Sequence, residues 1–356
     1  MGKTMRGLVK EVAAPSSLVY HNDLPLPKIG DDEVLIKVHC TAICGSDIHI
    51  LEWDEWSKKR IHPPVTLGHE TAGDIVAVGK NVTDRKVGDR VSCETHIPCG
   101  ECYFCKNGMP HICNNIKLFG CTENGAFAEY TKIRSDCTFL LDDAISYEAA
   151  CMFEPMGAGV HGVESAHVEG KTVLVSGCGA IGLTAVSACK TFGATKVIAC
   201  DMLDARLEVA KEMGADVVLN SGKEDVAKIA HELTDGLGVD CAIDITGAEA
   251  AINTGLKSLR AAGRMVCVGL PSKPVTLKDM TDDLIYREVE LTGVSGRKIW
   301  ETWDDFAKVM RGPYYKLDKM IGGRFVLEDY EKALAEIKKG TPGKMLLYPN
   351  AEDMKG

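Results

Sequence analysis

Lys171-Thr-Val-Leu-Val-Ser-Gly-Cys-Gly-Ala-Ile-Gly182 begins a stretch that closes at Lys196-Val-Ile-Ala-Cys-Asp201. Thr172 to Ser176 is short, apolar and rich in β-branched residues, as a buried parallel strand is. Gly177, Gly179 and Gly182 follow in the spacing Gly-x-Gly-x-x-Gly, with Ala180 and Ile181 completing the turn. Leu183 to Phe192 reads as a helix closed by Gly193, and Lys196 to Cys200 as a second strand ending at Asp201. A lone glycine pattern is as compatible with an ordinary turn. Strand, turn, helix and terminal acid together predict a dinucleotide-binding unit. Gly177 permits the tight turn, Gly179 lets the backbone approach a pyrophosphate, and Gly182 lets helix and strand pack closely. The helix N-terminus offers free N–H groups and a positive dipole end to phosphate. Asp201 stands where an acid grips a ribose hydroxyl. It predicts NAD over NADP, because a carboxylate repels a 2′-phosphate. Arg206 is the nearby cation that keeps NADP in play.

Further strands are expected at 217–220, 239–247, 264–269 and 290–294, with helices at 225–233 and 250–261 between them. Six strands in this order suit a doubly wound sheet with its ligand at the carboxyl ends. Gly247, Gly269, Leu270, Val294 and Arg297 follow strand ends and are candidates for the nicotinamide side of the cofactor.

The chain has 356 residues, 45% of them hydrophobic and 26% charged, with a net charge of −10. That length allows two domains with separate cores. The negative charge argues against nucleic acid and anionic membrane as partners, since both are polyanions. No apolar run reaches the length of a membrane span, and Met1 to Lys10 lacks the apolar core of a signal peptide. The 15 cysteines lie mostly in strand-like or glycine-turn segments, where thiols act as small apolar residues. A reducing cytoplasm is therefore expected.

The first 140 residues read as β structure, with a clear strand at Glu33 to Cys40. Thr41-Ala-Ile-Cys-Gly-Ser-Asp-Ile-His49 and Leu67-Gly-His-Glu-Thr-Ala-Gly73 then bring Cys44, His69 and Glu70, the three ligand types zinc prefers. Glu70 has a second possible role, as an acid that orients a ligand. Cys99-Gly-Glu-Cys102-Tyr-Phe-Cys105 followed by Cys113 is a stronger signal. Two overlapping Cys-x-x-Cys turns and a fourth Cys predict a Cys₄ zinc knot, closed to substrate and therefore structural. Ser146 to Val163 reads as a helix carrying Glu154 and, seven residues on, His161.

Gly68-His69-Glu70, the Gly73/Gly79 strand and Val87-Gly-Asp-Arg-Val91 make the chain resemble the zinc-dependent medium-chain alcohol dehydrogenases, from about residue 5 to the C-terminus. The resemblance implies an α/β fold: a GroES-like, β-rich catalytic domain at 1–157, a Rossmann NAD-binding domain at 158–298, and a return to the catalytic domain at 299–356, with the cleft between them. It implies two zinc ions per chain. One is catalytic, on Cys44, His69 and one or both of Glu70 and Glu154. The other is structural, on Cys99, Cys102, Cys105 and Cys113. Zinc would act as a Lewis acid on a substrate hydroxyl while hydride passes to NAD. Ser46 and His49 match the family's proton-relay positions; a solvent-facing loop histidine is the plainer reading of His49. A tetramer is also implied. Zinc-free reductase-like members and a non-enzymatic NAD sensor are the competing classes, and the intact ligand sets argue against the first.

Within the family, Trp53-Asp-Glu-Trp56, His96 and Gly296-Arg-Lys-Ile-Trp-Glu-Thr-Trp303 resemble the threonine 3-dehydrogenase branch, in which His96 would lie near the active site. Met156-Gly-Ala-Gly-Val-His161 departs from that branch, which places Asn after the first glycine, and Val294-Ser295 replaces a pair with an aromatic residue. The expected substrate is a secondary alcohol beside a polar carbon: L-threonine, or alternatively a polyol, a sugar alcohol or its phosphate, or 2,3-butanediol.

Overall fold

The computed structural model describes residues 4–355. Residues 1–3 and 356, which belong to the expected first and last segments, lie outside the described residues. The chain divides into two compact units, Met1–Pro155 with Met320–Gly356, and Met156–Lys319. Residues 299–319, expected with the returning tail, cluster with the second unit. The reason is packing: the amphipathic helix Glu301–Arg311 buries Trp303, Phe306 and Val309 and lies against the helix Ala180–Thr191.

The first unit is built on a mixed sheet around β1 (Glu33–Ala42) and β2 (Glu70–Val78). These two pair antiparallel, with Thr41 opposite Thr71 and Ala42 opposite Glu70. The strand Lys344–Tyr348 returns from the C-terminus to the other side of β1, with Leu347 opposite Thr41. Val34, Ile36, Val38, Ile75 and Val91 form one core of the unit, and Leu8, Ile43, Ile50, Leu67 and Leu347 belong to another. Two short helices follow β1: α1 (Gly45–Glu52) and α2 (Glu55–Lys58). The strand Tyr130–Arg134 pairs antiparallel with β1 as well, with Tyr130 opposite Lys37.

The expected single helix from Ser146 is two, Tyr147–Cys151 and α3 (Phe153–Ala166), broken at Met152. Pro155 has no N–H to give the Cys151 carbonyl, so one continuous helix is interrupted there.

The second unit holds β3 (Thr172–Ser176), α4 (Ala180–Thr191), β4 (Lys196–Asp201), β5 (Val217–Asn220), β6 (Val239–Asp244), β7 (Leu259–Cys267) and β8 (Glu290–Gly293). The sheet is parallel throughout in the order β5-β4-β3-β6-β7-β8. The order reverses between β3 and β6, and that reversal leaves a crevice at the carboxyl ends of the strands. The helix expected at 250–261 spans Glu249–Ser258, because Leu259 already pairs with Val239. Among the described residues no helix is long and apolar enough to cross a membrane.

Candidate active site

The register of β1 and β2 assembles the first metal set. Cys44 lies two residues past Ala42, and His69 one residue before its partner Glu70. Ligand atoms of Cys44, His69 and Glu70 all fall within 4.8 Å of one another. Cys44 caps α1, its N–H donating to Asp47 Oδ2 at 2.9 Å. The other oxygen, Asp47 Oδ1, is buried and lies 3.8 Å from His69 Nδ1, with Cys121 Sγ at 4.0 Å from the same nitrogen. Acceptors behind Nδ1 favour a proton there and leave the Nε2 lone pair for a cation. Ser46 Oγ lies 3.2 Å from Nε2.

Electrostatics agree. Burial opposes a charge on His69, but Asp47, Cys44 and Cys121 outweigh it and raise its pKa well above the ordinary value. A field that retains a proton on a buried imidazole favours a cation, and thiolate, imidazole and carboxylate are zinc donors. The residues therefore fit the metal.

The two candidate glutamates differ. Glu70 Oε1 is paired with the partly buried Lys344 at 2.6 Å, while Oε2 is buried with no hydrogen-bond partner among the described residues. Burial raises the Glu70 carboxyl and Lys344 opposes the rise. Glu154, at the start of α3, accepts from the Thr95 hydroxyl at 2.7 Å. It is not among the three ligands within 4.8 Å, yet its charge acts on Glu70, Asp47 and Lys344. His96 is half-buried, its ring Nδ1 2.9 Å from buried Glu94, which also accepts the His96 N–H. His49 sits three residues after Ser46 on α1, its Nδ1 2.9 Å from Asp54 Oδ2.

The second metal set is local. Sγ–Sγ distances are 3.4 Å for Cys99–Cys113, 3.5 Å for Cys102–Cys105 and 3.7 Å for Cys102–Cys113. A tetrahedron with Zn–S of about 2.3 Å has edges of roughly 3.8 Å, so the four thiols fit one zinc. Backbone N–H groups of Cys105 and Asn114 pull the Cys102 thiol down to about 6, and N–H groups of Glu101 and Cys102 lower Cys99. Both shifts favour the thiolate, the form that binds metal.

The glycine turn lies at the end of β3. Gly177 has φ +96°, and a Cβ on Gly182 would stand 1.7 Å from the Gly177 carbonyl, while one on Gly179 meets nothing within 4 Å. That open space lies over the N-terminus of α4, which begins at Ala180 with Ile181 next, where a pyrophosphate fits. Asp201 accepts from the N–H groups of Cys178 at 2.8 Å and Leu203 at 2.9 Å, with Arg206 at 3.5 Å. Asp201, Arg206, Ser176, Gly177, Ser221 and Thr246 line part of a cavity of about 500 Å³, within the range of nucleotide-sized pockets. Gly247 and Gly269 touch backbone to backbone beyond β6 and β7. Leu270 is exposed, and the Val294 N–H donates to Cys267. Arg297 is buried beneath Trp303, its guanidinium 5.9 Å from the ring centre. His161 is packed, with Nδ1 3.2 Å from the Gly296 carbonyl oxygen.

Thr95, Cys121 and Lys344 carried no sequence signal of their own. Asp47 did: three residues after a helix-capping Cys44 is a capping-box position.

Residues 30–143 match the alcohol dehydrogenase GroES-like domain, and residues 180–311 the zinc-binding dehydrogenase family. An L-threonine 3-dehydrogenase of Caldanaerobacter subterraneus subsp. tengcongensis is 42% identical over 91% of this chain and 93% of its own length. Among solved structures, galactitol-1-phosphate dehydrogenase from Escherichia coli aligns with a TM-score of 0.88 at 26% identity, over 97% of this chain and all of the other. The 2R,3R-butanediol dehydrogenase of Bacillus subtilis aligns at 0.86 with 29% identity, over 98% and 100%. Zinc and NAD are the cofactors of such enzymes, and both ligand sets and the glycine turn are in place. This chain therefore belongs to the zinc-dependent medium-chain alcohol dehydrogenases, NAD-linked oxidoreductases that act on CH–OH groups.

Proposed function

We propose that the chain oxidises the 3-hydroxyl of L-threonine with NAD, giving 2-amino-3-oxobutanoate. The observation that carries this reading is the 42% identity to an L-threonine 3-dehydrogenase over nine-tenths of both chains. The two Trp-bearing motifs support it. Cys44, His69 and Glu70 or Glu154 would hold a zinc ion, which would supply a Lewis acid for the alcohol oxygen, and bound NAD would supply the hydride acceptor. Asp47 fixes the His69 ring, Lys344 holds Glu70, and Thr95 holds Glu154. Ser46 and His49 lead the alcohol proton to water. His96, fixed by Glu94, meets the polar end of the substrate. Asp201 takes the adenosine ribose, and the Gly177–Gly182 turn the pyrophosphate.

A second reading is a polyol, a sugar alcohol or its phosphate, or 2,3-butanediol. Two structural neighbours favour it, as do Ala158 and Val294-Ser295, which depart from the threonine branch. A buried polar site rejects analogues that leave its groups unpaired, so a few changes redirect specificity. The deciding test is kcat/KM with NAD for L-threonine against sorbitol, galactitol phosphate and 2,3-butanediol. Threonine should lead; a polyol ahead of it overturns the substrate and leaves the alcohol chemistry standing.

The proposed partners are a small alcohol and further copies of the chain, as a tetramer in the cytoplasm. β8 is an edge strand carrying exposed Leu291, a place where sheets of two copies would meet. Thiolate-bound zinc suits a reducing compartment.

A further inference from the structure

The proton path proposed above ends on His49, and the turn that follows gives this histidine a partner. α1 stops at Trp53, whose backbone is left-handed with φ 56° and whose N–H closes on the His49 carbonyl. The chain then reverses, and Asp54 becomes the N-cap of α2. Its Oδ1 accepts from the Ser57 N–H at 2.8 Å and the Ser57 hydroxyl at 2.9 Å. Its Oδ2 points back and lies 2.9 Å from His49 Nδ1. One oxygen anchors a helix and the other reaches the imidazole. Glu55 and Lys58 of the same segment are paired with each other at 2.6 Å.

We infer that Asp54 is the positioning residue of the proton exit: it holds the proton of neutral His49 on Nδ1 and so leaves Nε2 as the base. The inference rests on the proposed role of His49. The chemistry is that of a carboxylate behind a catalytic histidine. A carboxylate only accepts, so the nitrogen facing it must be the donor. Hydrogen bonds from Ser57 and His49 keep the Asp54 carboxyl below its ordinary range, so it stays ionised. In the relay step an O–H bond on the inner side breaks and an Nε2–H bond forms. The imidazolium then stands against an anion already in place. Nε2 next releases its proton to water or to a buffer base, and the ring returns to its starting tautomer. No electron moves. His49 is 61% exposed on its side chain, which suits the end of the path that meets solvent.

A purely structural role predicts something else, since Asp54 caps α2 whatever His49 does. Two variants separate the roles. Asp54→Ser keeps a good N-cap but has no second oxygen for the ring. Asp54→Asn keeps a capping oxygen and turns an NH₂ donor toward Nδ1, which drives the proton of His49 to Nε2. Both should melt near wild type and keep two zinc ions and NAD affinity. In the zinc- and NAD-loaded enzyme, ¹⁵N spectra of His49 should show Nδ1–H for wild type and Nε2–H for Asp54→Asn. At low buffer concentration both variants should lose roughly ten- to a hundred-fold in kcat for the best alcohol of the panel, a part of the roughly 10²–10⁴-fold that general-base catalysis contributes. Added imidazole should restore much of that loss and leave wild type unchanged. His49→Gln should lose as much and be rescued likewise. Wild-type tautomer or wild-type buffer response in the Asp54 variants, with His49→Gln impaired, overturns the role of Asp54 alone. A His49→Gln enzyme that turns over as wild type removes the exit reading and the role of Asp54 with it.

Discussion

Cys99 to Cys113 and the Cys44, His69, Glu70 set both converge on one point, but they are built in opposite ways. The Cys₄ set lies within 15 residues, in turns whose own backbone N–H groups stabilise thiolates. Three of its cysteines are partly exposed. It offers four thiolates and no open position. The other set is drawn from the end of β1 and the start of β2, 25 residues apart in sequence, and is stabilised from Asp47, Cys121 and Lys344. A closed site can be written locally because only spacing matters. A site that must keep a position open for substrate has too few ligands to hold itself, so burial and outer partners fix its geometry.

The largest test of this contrast is Cys44→Ser. The variant should stay folded, lose one zinc of two, and fall about a thousandfold or more in kcat, since a Lewis acid contributes several kcal/mol at the transition state. Metal analysis beside steady-state rates checks it, and retention of both zinc ions would break the assignment. Cys102→Ser should lose the other zinc and several kcal/mol of stability, because binding at a structural site is part of the folding free energy. An unchanged melting temperature would show the knot to be dispensable.

Lys344→Met probes the outer shell of the buried set. It leaves the buried Glu70 without its cation, a change that typically costs about 3–5 kcal/mol. Urea unfolding measures it, and Lys344→Met with Glu70→Gln should recover part of the loss. Asp47→Asn is subtler: zinc affinity at the catalytic site should drop about 10–100-fold, the usual effect of removing an outer partner, while the Cys₄ zinc is unaffected. Competition with a chelator would separate the two ions by their release rates. The smallest effect is expected in the second unit. Asp201→Ala removes the repulsion of a 2′-phosphate and leaves Arg206 beside it. The NADP-to-NAD ratio of kcat/KM should rise about tenfold, close to 1.4 kcal/mol. A wild-type enzyme preferring NADP would reverse the reading of Asp201.

Features whose partners are close in the chain were legible before any coordinates. The Gly177 to Asp201 unit is one, because a strand, a turn and a helix N-terminus are defined by consecutive residues. The Cys₄ spacing is another. Element ends were less legible where pairing overrode local pattern. Residues 259–261 suit a helix, yet Leu259 joins β7 because Val239 lies opposite it. Met152 breaks a helical run because of the proline three residues on.

The tertiary structure alone decided which polar groups share one buried space. Lys344 reaches Glu70 from 274 positions away. Thr95 reaches Glu154 across 59, and Cys121 reaches His69 across 52. Nothing in a lysine at the head of a closing strand says that it neutralises a metal-site glutamate. That follows only when the strand docks beside β1, in the register that sets Leu347 opposite Thr41. Sequence determines chemistry along the chain, where covalent spacing sets distance. Distance across the chain is set by strand register and burial, and those belong to the fold as a whole.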